Sequence, residues 1–576
     1  MNRIIIWIVA GILVAGIVCG VRWHRKTTIQ NINQSSISSG VVPHHLLAKE
    51  IIDKFYKHIS LKENPETIIL LSPDHFRSGF IKEGGSFITL EIEAKKFKEL
   101  KVNTMLLRKL AGENKMVFNN SFITFEYGVM VQLPYIRQYF PDTKILPILI
   151  PFNTTKEQFK HLIEVIHFHA PFNAVIISSV DFSHYLPREV AEFHDVKSIN
   201  TLITNNENDF EDLEVDCWQC LYGARLFAQL RNKEFPEIIA HKNSADYSHA
   251  NRQEETTSYF SFIFKEGNYQ EREESKGKTI LFVGDIMLDR GVENLMKKNS
   301  SFYPFQKITQ FLKGVDIVFG NLEGPIVKVP KKISGKDLKF AFSPDTINGL
   351  FYGKINLVSL ANNHTLDMGK SGLEETKELL EQKNINFVGD PVKCSKEFLF
   401  KKDGIMFFAF NKTFPFNCKD EEIFENVKSV RMQNKRDFLI LSLHWGGEYL
   451  QKSLNIQRKF AHKIIDAGAD LIVGYHPHVV QDIEIYNGRL IFYSLGNFIF
   501  DQYFPKETRE SLAVGLEIYP SKLVYRIFPI VSSQSQPFLM KQVEKKEFLE
   551  RLASKSDPVL SEQIMGGIIR TERFKN

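Results

Sequence analysis

Five short apolar runs in the second half of the chain, each typical of a buried strand, end in a polar block. The blocks are Gly284–Leu288, Gly320–Glu323, Asn362–His364, Leu443–Gly446 and Gly474–His478. Strand-like runs that alternate with helical stretches, as they do here, indicate α/β layers. Because the carboxyl ends of strands in an open α/β sheet face one crevice, we expect the five blocks to meet at one site.

The blocks contain the side chains that a hydrolytic Mn, Fe or Zn site uses: carboxylates, carboxamides and imidazoles. Pro477 separates His476 from His478. A proline favours an extended backbone before it, and residues i and i+2 of an extended segment point the same way, so we expect both imidazoles to face one metal cluster. Asp285 ends its strand, where a carboxylate can bridge two cations; alternatively, it caps the helix that begins near Val292.

Four further side chains in the blocks have two interpretations each. Asn363 supplies an amide ligand and His364 an outer-sphere imidazole, or the two belong to an asparagine-rich turn. Glu323 and His444 are metal ligands, or they are polar residues that merely end strands. The sequence favours the metal interpretation, because all four lie in blocks that should converge.

From about Lys278 to Val531 these blocks resemble the bacterial CapA family of poly-γ-glutamate capsule proteins, whose domain is related to the calcineurin-like metallophosphoesterases. The family's blocks occur here in the same order, followed by Tyr493–Phe498. The resemblance implies one or two divalent transition-metal ions (Mn, Fe or Zn) and a catalytic role for His364, which would stabilise charge or protonate a leaving group. It implies metal ligands at Asp285, Glu323, Asn363, His444, His476 and His478.

The chain departs from the metallophosphoesterase pattern in two blocks. Those enzymes usually carry Asp-x-His in the first block, where this chain has Asp285–Met287, and an Asp in the second, where it has Asn321 or Glu323. The resemblance implies metal-dependent hydrolysis or processing of a cell-envelope polymer such as poly-γ-glutamate. The departures leave open a non-catalytic envelope scaffold that holds the polymer or hands it to capsule-assembly proteins.

A second set of polar blocks follows apolar runs in the first half of the chain: Val41–His45, Leu71–His75, Ser178–His184 and Cys217–Cys220. From about Gly40 to Lys265 they resemble the Memo family, which is related in fold to the extradiol ring-cleaving dioxygenases and includes component B of the AmmeMemoRadiSam system. The resemblance implies a Memo-like pocket formed by His44, His75, Asp181, His184 and Cys220.

Three neutral imidazoles suit Fe, Cu or Zn, and a nearby thiolate favours softer or redox-active ions. The alternative is that each histidine of the Memo-like pocket only hydrogen-bonds a carbonyl at a strand end. The chain has Glu126–Gly128 where the family has Glu-His-Ser, and Leu221 where the family cysteine is followed by Gly. Metal-dependent oxidative chemistry and a vestigial pocket therefore both stay open for this half.

The composition fits two packed domains. A chain of 576 residues exceeds the usual size of one hydrophobic core, so two to four domains are expected. A net charge of +5, without a basic stripe interleaved with aromatic residues, argues against nucleic acid as a partner. The five cysteines predict no disulfide framework: Cys217 and Cys220 are a candidate redox pair, whereas Cys394 and Cys418 are isolated in the sequence.

An uncharged apolar run from Ile4 to Val21 predicts a single transmembrane helix, because about 18 residues at about 1.5 Å each just span a hydrocarbon core. A cleaved signal peptide is the main alternative, but no Ala-x-Ala follows the run. The flanking basic residues weakly favour a cytoplasmic body. The CapA resemblance implies the opposite orientation, so we expect a single-pass protein of the cell membrane with an extracytoplasmic body.

We therefore predict an α/β protein with two α/β domains behind a transmembrane helix. The first domain is expected to be Memo-like, or extradiol-dioxygenase-like, and the second to be calcineurin-like metallophosphoesterase-like. The expected segments are a transmembrane anchor with its flanks (1–26), a tether (27–40), the first domain (41–265), a linker (266–278) and the second domain with a helical tail (279–576). After a polar helix at about Lys541–Ala553, the sequence predicts a loose end.

Overall fold

The computed structural model describes residues 36–76, 86–204, 206–247, 255–267, 277–330, 339–414 and 418–573. The predicted transmembrane helix Ile4–Val21 lies outside the described residues, as does most of the predicted tether. Within the described ranges, no helix is long and apolar enough to cross a membrane.

The first half is built around one mixed sheet. Its strands are β1 (Ile37–Val42), β2 (Thr67–Pro73), β3 (Phe87–Thr89), β4 (Lys96–Phe97), β5 (Leu100–Lys101), β6 (Met116–Phe118), β7 (Lys144–Ile150), β8 (Val175–Ser179), β9 (Phe182–Leu186), β10 (Phe235–Asn243) and β11 (Thr256–Lys265). The sheet order is β10-β11-β1-β8-β2-β7-β3-β6, with β9 paired to β11 and with β4 and β5 forming a separate hairpin. β1 begins inside the segment predicted as a tether, and its residues are buried.

Helices cover both faces of this sheet. They are α1 (Lys49–Ser60), α2 (Thr104–Glu113), α3 (Asn120–Phe125), α4 (Tyr127–Met130), α5 (Leu133–Tyr139), α6 (Lys156–His169), α7 (Arg188–Thr204) and α8 (Trp218–Leu230). Along β2, Ile69 and Leu71 pack into a core with α6 and α8, whereas Ile68 and Leu70 pack with α1 and α5. A strand that is apolar on both sides requires this double cover.

The second half contains two sheets. Its strands are β12 (Lys278–Ile286), β13 (Ile317–Leu322), β14 (Leu357–Ser359), β15 (Asn386–Val388), β16 (Phe400–Lys402), β17 (Ile405–Asn411), β18 (Phe438–His444), β19 (Leu471–Tyr475), β20 (Ile483–Tyr486), β21 (Arg489–Phe492), β22 (Asn497–Ile499), β23 (Glu510–Ile518), β24 (Lys522–Ser533), β25 (Gln536–Leu539) and β26 (Ile568–Glu572). One sheet runs β15-β14-β13-β12-β23-β24-β25, with β22 beside β12 and β26 beside β24. The other runs β16-β17-β18-β19-β21-β20.

The two sheets pack face to face and are covered by helices outside. Phe282 and Phe319 share a core with Phe407 and Val473 of the opposite sheet. The helices are α9 (Arg290–Lys298), α10 (Thr309–Leu312), α11 (Thr346–Tyr352), α12 (Gly369–Gln382), α13 (Asp420–Gln433), α14 (Asn455–Asp466), α15 (Gln542–Lys555) and α16 (Ser561–Met565). Helices α9, α11 and α12 pack on one outer face, and α13 and α14 pack on the other. The expected α/β class and two-part arrangement are thereby confirmed.

The described residues after α15, up to residue 573, form helix and strand, contrary to the prediction of a loose tail. β26 pairs antiparallel with β24, and Ile569 on β26 is fully buried. The polar helix predicted before it gave no sequence signal for a strand beyond it. Leu560, Ile564 and Ile569 of this segment thus belong to the core of the second half.

Helix α7 joins the two halves. Its residues Val190 and Phe193 pack in the same apolar cluster as Leu281 on β12. The Nζ atom of Lys197 donates to the Val315 carbonyl at 3.0 Å, and His194 Nε2 donates to the Phe311 carbonyl at 3.1 Å. The interface between the halves is therefore buried and hydrogen-bonded.

The structure pairs four of the cysteines. Cys217 is bonded to Cys220, and Cys394 is bonded to Cys418 with 5.9 Å between their Cα atoms. The description of Cys394 and Cys418 as isolated was wrong, because the fold brings together positions that are 24 residues apart in the sequence.

Candidate metal centre

The carboxyl ends of parallel strands from both sheets of the second half meet at one edge. β12 and β13 run parallel with Asp285 opposite Asn321, and β14 continues in the same direction. In the other sheet, β18 and β19 run parallel with His444 opposite Tyr475. The five polar blocks therefore follow strands that end at the same edge, as parallel topology requires.

Asp285, Glu323 and His478 form the buried core of this centre. One ligand atom from each lies within 4.8 Å of the others. His478 Nδ1 is 3.6 Å from Asp285 Oδ2, and His478 Nε2 is 3.6 Å from Glu323 Oε1. All three side chains are buried. Carboxylates and an imidazole in this arrangement form a ligand set suited to a divalent transition metal.

Asn321 connects this core to the remaining histidines. Its Nδ2 donates to Asp285 Oδ1 at 2.8 Å and lies 3.3 Å from His444 Nδ1. The other ring nitrogen of His444 is 2.7 Å from Asn363 Oδ1, and the His476 ring lies 4.8 Å from the His444 ring. The structure thus places all six residues that were predicted as metal ligands in one contiguous cluster.

His476 and His478 face the cluster for a different reason from the predicted one. Their φ angles are 95° and 58°, so the segment turns sharply after β19 and the expectation of an extended backbone was wrong. Residues other than glycine seldom adopt this left-handed region. Strained backbone of this kind is concentrated at functional sites, where the surrounding structure holds it in place.

Asp285 does not cap the next helix, so its interpretation as a helix cap is excluded. Helix α9 begins at Arg290, and its N-cap is Asp289. At the position where metallophosphoesterases usually carry His, Met287 is buried, and its sulfur accepts a hydrogen bond from the Asp289 amide at 3.1 Å. The first block therefore offers the centre a carboxylate and no imidazole.

His364 lies beside the cluster and is held by two neighbours. Its Nδ1 donates to Asp367 Oδ2 at 2.8 Å, and its ring is 4.3 Å from the Phe340 ring. The Phe340 amide donates to the same Asp367 oxygen at 2.7 Å. A carboxylate on Nδ1 fixes the orientation of the ring and leaves Nε2 for proton exchange. The sequence analysis missed Asp367, although it follows His364 by only three residues.

Burial and mutual charge shift the pKa values of this centre. Burial, followed by the charge of Asp285, raises the pKa of Glu323 well above its usual value. Burial lowers the pKa of His476 to about 4, and it holds the pKa of His444 well below its usual value. Burial opposes the protonation of His478 as well, but Glu323 and Asp285 outweigh it and raise that pKa to about 9.

Two buried atoms at the centre lack hydrogen-bond partners among the described residues: Glu323 Oε1 and His476 Nδ1. Leaving buried polar atoms unpaired costs about 1–3 kcal/mol each. An oxygen and an imidazole nitrogen are both ligands for a divalent cation, and neutral imidazole is the form that binds metal. The donor set and these two unpaired atoms fit a divalent transition-metal ion.

Two neighbours of the centre were missed by the sequence analysis. Asn497 Oδ1 lies 2.9 Å from His478 Nδ1 and fixes the orientation of that ring. Glu448 forms a second group with His476 and His478, with ligand atoms within 4.8 Å of one another. Asn497 had a signal, because it lies in Tyr493–Phe498, whereas nothing in the sequence marked Glu448.

The Memo-like pocket is organised around Asp216, which the sequence analysis also missed. Asp216 Oδ2 lies 3.2 Å from His44 Nε2, 3.6 Å from His75 Nε2 and 4.0 Å from His184 Nε2. Asp181 supports His44, because its carboxylate accepts from the His44 amide at 3.1 Å. The three predicted histidines and Asp181 are therefore brought together, with a carboxylate at the centre.

Cys220 does not supply a free thiolate to this pocket, because it is buried in α8 and bonded to Cys217. Glu126 contributes instead, with its Oε1 2.6 Å from His75 Nδ1. Burial opposes the protonation of His75, but hydrogen bonds to Asp216 and Glu126 raise its pKa to about 10. Imidazole and carboxylate suit borderline ions such as Zn or Fe better than the softer ions expected from a thiolate.

Comparisons with known proteins agree with this division of the chain. Residues 279–502 match the bacterial capsule synthesis protein PGA_cap family, and residues 22–254 match the Memo-like protein family. A Memo relative from Caldivirga maquilingensis, a MEMO1 family protein, is 25% identical over 251 residues, which are 40% of this chain and 84% of that protein.

Two curated relatives match the second half. The PGA biosynthesis protein CapA of Bacillus subtilis is 31% identical over 297 residues, covering 48% of this chain and 78% of that protein. The capsule biosynthesis protein CapA of Bacillus anthracis is 30% identical over 251 residues, covering 40% of this chain and 61% of that protein. The chain thus spans less than two thirds of the second relative. With its PGA_cap and Memo-like segments both matched, the chain belongs to the CapA family of capsule synthesis proteins and carries a Memo-like domain ahead of the CapA-like one.

Proposed function

We propose that the second half of this protein is a metal-dependent hydrolase that processes an anionic cell-envelope polymer such as poly-γ-glutamate. The observation that carries the proposal is the buried cluster of Asp285, Glu323 and His478, with ligand atoms within 4.8 Å of one another. Relatives named for capsule and PGA biosynthesis support the polymer class. The Ile4–Val21 segment would anchor the protein in the membrane, with its body on the outer side where it meets the polymer.

Six side chains would hold one or two divalent ions. Their donor groups are the carboxylates of Asp285 and Glu323, the amide of Asn363, and the imidazoles of His444, His476 and His478. When bound, such ions supply Lewis acidity and a water molecule of lowered pKa. Asn321 would orient the Asp285 carboxylate, because it already donates to Asp285 Oδ1 at 2.8 Å.

Hydrolysis of a γ-amide bond consumes one water molecule: its oxygen bonds to the carbonyl carbon, the C–N bond breaks, and the leaving nitrogen takes up a proton. We assign that proton transfer to His364. Asp367 accepts from its Nδ1 at 2.8 Å, so Nε2 is the atom that exchanges a proton with the leaving nitrogen. The Phe340 ring packs against the His364 ring at 4.3 Å in a tilted orientation.

The test is incubation of the Mn-loaded full chain with purified poly-γ-glutamate, with chain length followed by size exclusion and light scattering and new amino groups counted. We expect the polymer to shorten, with one new amine for each bond broken. His364→Gln should slow the reaction by roughly 10²–10⁴-fold with metal content unchanged. His462→Gln is the matched control, because His462 lies on α14 and pairs with Glu484 on β20, and neither residue belongs to the cluster. Unchanged chain length with full metal occupancy would contradict the proposal.

A polymer-holding scaffold is the second candidate, and one observation favours it. Met287 stands where related phosphoesterases place a metal-binding imidazole, and it is fully buried in the apolar core. Under this alternative, the centre binds metal and polymer and hands the polymer to capsule-assembly proteins. Binding of poly-γ-glutamate without any shortening distinguishes the scaffold from the hydrolase.

A further inference from the structure

Arg290 is placed at the edge of the candidate metal centre by the element that supplies Asp285. β12 ends at Ile286, and α9 begins at Arg290 only four residues later. The Arg290 side chain is 37% exposed, so its guanidinium is accessible to a ligand approaching from solvent.

Two aromatic rings connect this guanidinium to the centre. Its Cζ lies 5.0 Å from the Phe340 centroid and 5.7 Å from the Phe500 centroid. Phe340 is 4.3 Å from the His364 ring, and Phe500 is 5.0 Å from the His478 ring. One aromatic layer therefore separates Arg290 from the candidate proton donor and from a candidate metal ligand. Cation–π contact with these rings favours this position of the guanidinium.

The guanidinium keeps donor capacity for a ligand. Its Nη2 donates to Asp501 Oδ1, and Asp501 Oδ2 accepts from the Gly291 amide at 3.0 Å. Arg290 Nε is buried, so the donors left for a ligand from solvent are those of the two Nη atoms that the Asp501 pair does not use. Because a guanidinium has five N–H donors in a fixed fork, one ion pair leaves a pair of donors for a second carboxylate.

The carboxylates around the centre favour a cation at its edge for binding an anionic substrate. Asp285 and Glu323 are buried in the cluster, and Asp501 lies at its edge beside the guanidinium. These carboxylates would repel a polyanion wherever metal charge does not neutralise them. A γ-linked glutamate chain carries one free α-carboxylate for every residue, so a carboxylate always lies a few bonds from the amide that is cleaved.

We propose that Arg290 is the specificity-determining residue of this site and binds the free α-carboxylate of the γ-linked residue next to the bond held at the metal centre. The inference rests on the proposed hydrolase function and names the group that selects the substrate. A purely structural role, in which Arg290 only fixes the Asp501 loop, would make no distinction between charged and uncharged substrates.

The test is calorimetric titration of the Mn-loaded full chain with tri-γ-glutamate and with its α-methyl ester. We expect Arg290→Gln to weaken binding of the acid on the order of 10- to 100-fold, which is the range for a charge-assisted hydrogen bond, and to leave binding of the ester unchanged. Arg290→Lys should lose part of the preference, because a lysine keeps the charge without the planar fork. Lys298→Gln is the matched control, because Lys298 is an exposed cation on the same helix.

The outcomes separate this inference from the proposed function. If the wild-type chain shortens the polymer while Arg290→Gln binds acid and ester as the wild type does, the inference fails alone. Equal weakening for acid and ester in Arg290→Gln, with unchanged metal content, would also overturn it in favour of a structural role. If the metal-loaded wild type binds neither compound and leaves the polymer intact, the proposed function fails as well.

Discussion

At the scale of single residues, motif position identified the ligand candidates, whereas most of the groups that support them were found only in the structure. Asp285 and His478 lie at strand ends in blocks with a recognisable order, so the sequence could name them. Asp216 and Asp367 are single carboxylates in ordinary surroundings, and only the fold brings them to within hydrogen-bond or ion-pair range of an imidazole. Asp216 directly precedes the block Cys217–Cys220. The sequence prediction named Cys220 from that block as a pocket residue and did not include Asp216.

The metal cluster gives the first prediction at this scale. His478→Ala and Asp285→Asn should each lower metal affinity by more than the roughly 10- to 100-fold expected when an outer-shell partner is lost, because each removes an inner ligand. His476→Ala should also lower occupancy strongly. Elemental analysis of the purified variants measures this loss, with His462→Ala as the control. Unchanged stoichiometry in both histidine variants would show that these residues are not ligands.

At the scale of elements, alternating apolar runs predicted the strands and the edge at which they end. The pattern failed where local geometry depends on the tertiary structure. His476 and His478 have φ angles of 95° and 58°, because the chain turns into the cluster instead of continuing β19. β26 is short and pairs with a distant strand, so nothing local revealed it. Nothing in the sequence indicated that helix α7 would be buried between the halves.

A second prediction belongs to α7. Burial, with the nearby charges of Lys313, Lys197 and Arg526, lowers the pKa of His194 to about 4, against about 6.5 in an unfolded chain. Because the unfolded chain takes up the proton first, folding stability should fall as the pH drops from about 6.5 towards about 4. The expected loss is on the order of 3 kcal/mol.

Thermal unfolding of the wild type and of His194→Gln at pH 7.5 and pH 4.5 measures this effect. Glutamine can still donate to the Phe311 carbonyl, which His194 Nε2 contacts at 3.1 Å, but it cannot titrate. The melting temperature of the variant should therefore fall less on acidification than that of the wild type. An identical fall in both proteins would exclude His194 as the cause.

At the scale of the whole molecule, the two halves share an interface that reaches the Memo-like pocket. Gln310 on α10 donates to the His184 carbonyl at 2.7 Å and to Glu214 Oε1 at 3.1 Å. The second half thereby supports a segment in which Ser183 and Tyr185 both have positive φ angles. The sequence predicted two domains, but it carried no signal for contact between them.

A third prediction concerns metal binding by the Memo-like pocket. His44, His75 and His184 surround Asp216, so we expect this pocket to bind Zn, Fe or Cu, and to do so more weakly than the CapA-like centre. Metal titration of the full chain should show a second, weaker class of site that His44→Ala abolishes. A single class of site, unaffected by His44→Ala, would favour a vestigial pocket.

The fourth prediction is the orientation of the protein in the membrane. The Ile4–Val21 segment is expected to anchor the chain with its body outside the cytoplasm, because a capsule-processing domain must meet its polymer there. Protease added to intact cells should remove the body and leave cytoplasmic markers whole. Complete protection until the cells are lysed would place the body inside, where capsule processing cannot occur.

The central claim is that the strand-end residues of the second half hold a transition metal. Anomalous diffraction from crystals of the Mn-loaded full chain, recorded near the manganese edge, tests it most directly. We predict one or two anomalous peaks within ligand distance of Asp285, Glu323 and His478, whose ligand atoms lie within 4.8 Å of one another. A chain that contains manganese by elemental analysis but shows no peak among these three residues would contradict the claim.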